Sequence, residues 1–74
     1  MADDLADDGW IVSVECPVAG SARYLAGFDT PREALLAIKR LYGGRQLRFV
    51  GCVRADHNDL KANRVLSGEV RPFQ

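Results

Sequence analysis

The stretch DTPREALLAIKRLYGG, residues 29–44, holds both ends of a helix and the apolar stripe between them. Thr30 stands at an N-cap position, with Pro31 at the first helical position and Glu33 where a capping box places an acid. Gly43 supplies the left-handed residue that ends a helix. The apolar residues that recur at helical spacing are Ala34, Leu35, Ile38, Leu41 and Tyr42. The stretch therefore predicts an amphipathic helix that buries one face.

The segment before this helix alternates with period two. Trp10, Val12, Val14 and Cys16 point one way, and the residues between them point the other way. Pro17 and Gly20 then break the pattern. A second alternation follows through Ala22, Tyr24, Ala26 and Phe28. Two alternating runs joined by a short glycine-containing turn predict a β-hairpin.

Three weaker elements follow the helix. QLRFVGCVR, residues 46–54, predicts a third strand with Leu47, Phe49 and Val53 inward and with Arg48, Val50, Cys52 and Arg54 outward. ADHNDLKANRV predicts a short helix around a single apolar anchor, Leu60. SGEVRPF predicts a last strand that Pro72 restricts to an edge or an end of the sheet.

The order of elements resembles that of the ubiquitin-like β-grasp domains over Trp10 to Phe73. WIVSVECPVAGSARYLAGFDTPREALLAI resembles their first hairpin running into the helix, RQLRFVG their third strand, and DLKANRVLSGEV their short helix and last strand. The resemblance implies an α+β fold of order ββαβ(short helix)β, with one mixed sheet packed on one main helix. It also implies that the last strand lies between the first and the third. Another small ββαβ sandwich is the alternative.

Two departures from that family bear on function. The sequence ends in RPFQ, whereas ubiquitin and the sulfur carriers of this fold end in a flexible Gly-Gly. We therefore expect neither conjugation nor sulfur transfer. Arg48 replaces the apolar surface residue on the third strand of ubiquitin, so the usual receptors of ubiquitin should not bind this chain.

Length and charge suggest one domain with an acidic start. Seventy-four residues leave no room for a second domain. Residues 1–9 carry four aspartates without periodicity and predict a flexible acidic tail, and residues 10–74 predict the single domain. Residues 1–15 hold five acids and no base, a charge of −5, so the neutral chain carries +5 over residues 16–74.

Several features favour the cytoplasm. The acidic start is unlike the basic and then apolar start of a secretory signal. No apolar run approaches the roughly 20 residues that span a bilayer, so no membrane partner is expected. The chain has two cysteines, Cys16 and Cys52, which are too few for a disulfide framework, so we interpret them as thiols.

The β-grasp arrangement leaves one face of the sheet to solvent, and the candidate binding residues lie there. Strand parity and the resemblance group Ile11, Leu25, Arg48, Val50, Arg54 and Arg71 on this face. An apolar centre with an arginine rim is typical of a protein-binding patch. Scattered surface apolar residues beneath arginine stems are the alternative interpretation. We expect a small interaction module that binds an unidentified protein partner.

Nucleic-acid binding by the arginine-rich face is the second hypothesis for function. The +5 body could follow a phosphate backbone. The predicted face, however, lacks the paired aromatic residues that stack bases. Its one aromatic candidate is Phe73.

No enzyme, cofactor or metal site is expected. Cys52 and His57 stand five residues apart, but no oxyanion feature or orienting partner accompanies them. His57 is the only histidine, and neither GxxxxGK[ST] nor GxGxxG occurs, so metal and nucleotide are unsupported.

Overall fold

A computed structural model describes residues 5–18 and 20–73. Its elements are β1 (Trp10–Cys16), β2 (Gly20–Ala26), α1 (Pro31–Leu41), β3 (Arg48–Arg54), α2 (His57–Ala62) and β4 (Val70–Pro72). The fold is α+β, with a four-stranded antiparallel sheet and a main helix. The predicted hairpin, main helix, third strand, short helix and last strand are all present.

The predicted ends of α1 are confirmed. The backbone N–H of Glu33 donates to Oγ1 of Thr30 at 3.3 Å, and that hydroxyl donates to the Glu33 carboxylate at 3.0 Å. Gly43 adopts φ 57°, a left-handed conformation that few other residues take without strain. Ala34 and Ile38 are fully buried against the sheet.

The sheet order differs from the β-grasp prediction. The order is β3-β1-β2-β4, and every neighbouring pair is antiparallel. The predicted mixed sheet with its last strand between the first and third is therefore wrong. After β3 the chain crosses the second face of the sheet, the face opposite α1, because Leu60 and Val65 bury against Leu25 there. This crossing delivers β4 to the outer edge of β2 rather than to β1.

A β-bulge changes the parity of β3. The pairing with β1 passes from Ser13↔Gly51 directly to Val14↔Phe49, which leaves Val50 as the extra residue. Cys52 therefore pairs with Val12 and packs towards α1, whereas Val53 pairs with Ile11 towards the second face. The predictions of an outward Cys52 and an inward Val53 are wrong for this reason.

The apolar core consists of two clusters, one on each face of the sheet. Between α1 and the sheet, the fully buried members are Val12, Val14, Ala26, Ala34 and Ile38. On the second face, Leu25, Leu60 and Val65 form a smaller cluster with Ile11, Ala55 and Phe73 at its margin. The short segment that contains α2 thus covers one end of a face that the sequence assigned to solvent.

The acidic tail predicted over residues 1–9 lies partly outside the described residues, which begin at Leu5. Ala6 is 5% exposed and donates its N–H to the Val65 carbonyl at 2.9 Å. Leu5 forms a β-bridge with Leu66, and the Gly9 carbonyl accepts from Ala55 N at 2.8 Å. Residues 5–9 therefore pack beside the α2 segment, and the flexibility of the whole stretch stays a prediction.

Within residues 5–18 and 20–73, no helix has the length and apolar character needed to cross a membrane.

Candidate functional site on the second face of the sheet

Two of the six predicted binding residues are not at the surface. Leu25 is fully buried beneath Leu60 and Val65, and Ile11 is half-buried at the margin of the same cluster. The expectation that Leu25 is exposed is wrong because the sequence analysis identified only Leu60 as an anchor of the α2 segment. Val65, fully buried three residues after α2, is the second anchor.

Arg48 and Val50 are exposed, as the sequence predicted. Val50 is 56% exposed at the bulge. The Arg48 guanidinium lies 3.8 Å from the carboxylate of Glu15, the residue paired with Arg48 on β1, and both side chains are largely exposed. Such a solvated pair contributes about 0–1 kcal/mol. An arginine can therefore stand in this strand because its side chain reaches water and needs no burial.

Arg54 and Arg71 lie apart from Arg48. Arg54 pairs with Trp10, so its side chain lies on the α1 face of the sheet. The Arg54 guanidinium contacts the Asp8 carboxylate. Arg71 lies opposite Leu25 on the second face and donates from Nε to Glu69 at 2.8 Å. The six predicted residues therefore do not form one surface.

Glu69 is held by two donors. Its Oε1 accepts from Arg71 Nε and from the Leu66 N–H at 3.2 Å. The Arg71 hydrogen bond, followed by the backbone hydrogen bond, lowers the pKa of Glu69. This carboxylate stays ionised to lower pH than an ordinary glutamate and fixes the turn that leads into β4.

The part of the second face that α2 leaves uncovered is a shallow groove of about 560 Å³. We call it the open groove, and its second-face side chains are Ser13, Glu15, Ser21, Arg23, Val50 and Phe73. The guanidinium carbon of Arg23 lies 5.4 Å from the centre of the Phe73 ring, a cation–π contact. The groove thus places a stacked arginine and an aromatic ring across from an exposed valine.

No family model, curated protein or solved structure matches this chain. Those comparisons add no support for the ubiquitin-like assignment.

The sequence missed the pairing of Arg23 with Phe73. Strand parity already turned Arg23 outward, but the predicted sheet order put the last strand beside β1. In the structure β4 pairs with β2, and Phe73 N donates to the Arg23 carbonyl at 2.9 Å. The only sequence signal for this position is Pro72, which favours an edge strand.

Cys52 and His57 belong to elements on opposite sides of the sheet. Cys52 packs in the cluster beneath α1, while His57 begins α2, which covers the second face. Burial raises the pKa of the Cys52 thiol, which lowers its thiolate fraction at neutral pH. Among the described residues, no group of three or more His, Cys, Asp or Glu is arranged to hold a metal ion.

Proposed function

We propose that this protein is a small non-catalytic interaction module that binds a protein partner through the open groove. The observation that carries this proposal is the stacked Arg23–Phe73 pair opposite exposed Val50, in the part of the second face that stays uncovered. Arginine and aromatic side chains are enriched where protein interfaces concentrate their binding energy. A partner would place an apolar side chain between Val50 and Phe73 and an acceptor against Arg23.

The groove favours a protein over a nucleic acid. In the described part of the chain, Arg48, Arg54 and Arg71 each contact a carboxylate of the same chain, which competes with phosphate. Phe73 already carries Arg23 on its ring and packs at the edge of the Leu25 cluster. Base stacking needs an open aromatic face, and this ring offers little of one.

The cytoplasmic location and the ubiquitin-like assignment belong to this proposal as hypotheses. Two cysteines, too few for a disulfide framework, motivate the first. The element order motivates the second, while the antiparallel order β3-β1-β2-β4 counts against it.

Site-directed photo-crosslinking in extracts of the source cells tests the proposed function. A photoreactive phenylalanine analogue at Ser21, inside the open groove, should yield a discrete protein adduct. The same analogue at Arg32, exposed on α1, should not. Adding Arg23→Glu should reduce the Ser21 adduct at least tenfold, whereas Arg32→Glu should leave it unchanged.

Each alternative has its own outcome in this experiment. Identical adducts from Ser21 and Arg32 would exclude a groove-specific partner. An adduct that is lost on nuclease treatment would replace the protein partner with a nucleic acid. Melting temperatures of the variants serve as the control for folding, since both arginines are exposed.

A further inference from the structure

A second pocket lies on the other side of the sheet from the open groove, between α1 and β3. Its volume is about 470 Å³. The apolar side chains that line it are Pro31, Leu35, Leu36 and Phe49, and the charged ones are Arg32 and Lys39. We call it the α1–β3 pocket. Phe49 pairs with Val14, so the pocket belongs to the α1 face and shares no side chain with the open groove.

The apolar lining of the α1–β3 pocket reaches solvent. Leu36 is 48% exposed and Phe49 is 37% exposed, while Leu35 is half-buried and packs against the core. A single exposed leucine is ordinary at a protein surface. Here four apolar residues from two elements converge on one concave site, and mostly apolar concave sites with few polar groups are typical of small-molecule binding. The lining therefore favours a ligand with an apolar body.

Two cations at the rim of the pocket determine the charge of that ligand. Arg32 and Lys39 are seven residues apart, so they lie on the same side of α1, and both are exposed. None of the ion pairs between described residues involves either of them. Glu33, the acid of the first turn of α1, is held by Thr30 in the capping box. The rim thus offers positive charge to an anionic group.

The dimensions and the lining favour a free amphiphile over a peptide. From Pro31 to Lys39 the pocket follows α1 for about 12 Å, because an α-helix rises about 1.5 Å per residue. A volume of about 470 Å³ over that length is too narrow for a second helix, which is about 10 Å across. An extended peptide would place N–H and C=O groups against leucine and phenylalanine side chains that cannot bond them. An alkyl chain carries no such groups.

We propose that the α1–β3 pocket binds a free fatty-acid-type carboxylate. The alkyl chain lies against Leu36 and Phe49, and the carboxylate pairs with the cations at the rim, Arg32 and Lys39. Two cations are too few to hold an anionic membrane, for which basic clusters of about four to eight residues are typical. This inference goes beyond the proposed function and does not rest on it, because the open groove lies on the opposite face of the sheet.

Titration of the ¹⁵N-labelled full chain with decanoate, followed by NMR, is the test. We expect saturable shifts of the amides of residues 32–39 and of Phe49, with a dissociation constant on the order of 1 mM for so small a ligand. Octanoate, which is shorter by two CH₂ groups, should bind about tenfold more weakly. Decyltrimethylammonium, which has the same chain and the opposite charge, should not shift these amides. The absence of saturable shifts with decanoate would overturn the proposal.

Matched pairs of variants on α1 locate the site. Leu36→Ala should weaken decanoate binding at least fivefold, whereas Leu41→Ala, at a 60% exposed position outside the pocket, should not change it. Lys39→Gln should weaken binding at least twofold, and Arg40→Gln at the next residue should leave it unchanged. All four side chains are exposed, so the melting temperatures should stay close to that of the unmodified chain. Equal effects within each pair would refute the site, because a surfactant that binds anywhere does not distinguish them.

Two further ligands test the other occupants of the pocket. Vesicles of anionic phospholipid that bind the chain, together with no shifts from monomeric decanoate, would replace the free acid with a membrane surface. The peptide DDLADD, which is residues 3–8 of this chain, offers a leucine between carboxylates. Tighter binding of this peptide than of decanoate at the same amides would assign the pocket to an acidic protein segment. We expect decanoate to bind more tightly than the peptide and without vesicles.

Discussion

At the scale of single residues, the hydroxyls of Tyr24 and Tyr42 make a polar contact at the margin of the core beneath α1. They lie 2.7 Å apart, with the two rings edge to face. The hydrogen bond from Tyr24, with burial second, raises the pKa of Tyr42 from 10.0 to about 12. This pair joins β2 to the C-terminal end of α1, so its protonation is linked to folding.

We expect the protein to lose stability as pH rises from about 10 to about 12. The folded state holds the Tyr42 proton more tightly than the unfolded chain, so this contribution is complete below pH 10 and disappears as Tyr42 ionises. In Tyr24→Phe, Tyr42 is the only tyrosine left, and its absorbance at about 295 nm reports its own titration. The midpoint should fall below about 12. A midpoint unchanged in Tyr24→Phe would show that burial alone holds the proton.

At the scale of elements, Gly27 and Gly51 differ in how closely other segments of the chain pack against them. A Cβ on Gly27 would lie 2.6 Å from the Leu66 carbonyl and 2.7 Å from the Cβ of Ala6, where three chain segments meet. A Cβ on Gly51 in the bulged strand meets nothing within 4 Å, and its φ is not in the left-handed region. The two positions are therefore matched tests of how tightly each element is packed.

Gly27→Ala should lower the free energy of unfolding by about 1–3 kcal/mol, because a backbone carbonyl cannot move aside cheaply. Gly51→Ala should change it by no more than about +1 kcal/mol, in the stabilising direction, because alanine restricts the unfolded chain. Urea denaturation measures both. Equal losses in the two variants would contradict the packing of residues 5–6 and 65–66 around Gly27.

The sequence predicted α1 more fully than β3 for a physical reason. The signals for α1 are local: a cap, a proline, a stripe and a glycine within sixteen residues. The facing of β3 depends on its register with β1, which no local pattern contains. The prediction of residues 46–54 as one regular strand missed the bulge at Val50 and the change of parity that the bulge causes. The prediction of the candidate site was incomplete for the same reason. The burial of Leu25 depends on where α2 packs, and the position of Phe73 depends on which strand β4 pairs with.

At the scale of the whole molecule, the sheet lies between two layers of unequal extent. α1 covers the first face, and residues 5–9 together with the α2 segment cover one end of the second. A 74-residue domain has a small margin of stability, so even a thin second layer matters. The open groove exists because that layer stops before it reaches Arg23 and Val50.

This arrangement makes residues 5–8 part of the fold rather than an appendage. Deleting residues 1–8 removes the Ala6–Val65 backbone hydrogen bond and uncovers Gly27 and Val65. We expect the free energy of unfolding to fall by about 1–3 kcal/mol.

Asp8→Asn removes only the exposed contact to Arg54 and should cost less than about 1 kcal/mol. Because burial rather than charge holds the segment, 1 M NaCl should reduce the loss caused by Asp8→Asn but not the loss caused by the deletion. If the deleted chain melts at the temperature of the intact chain, residues 5–8 do not belong to the folded domain, and the boundary at Trp10 predicted from the sequence is the correct one.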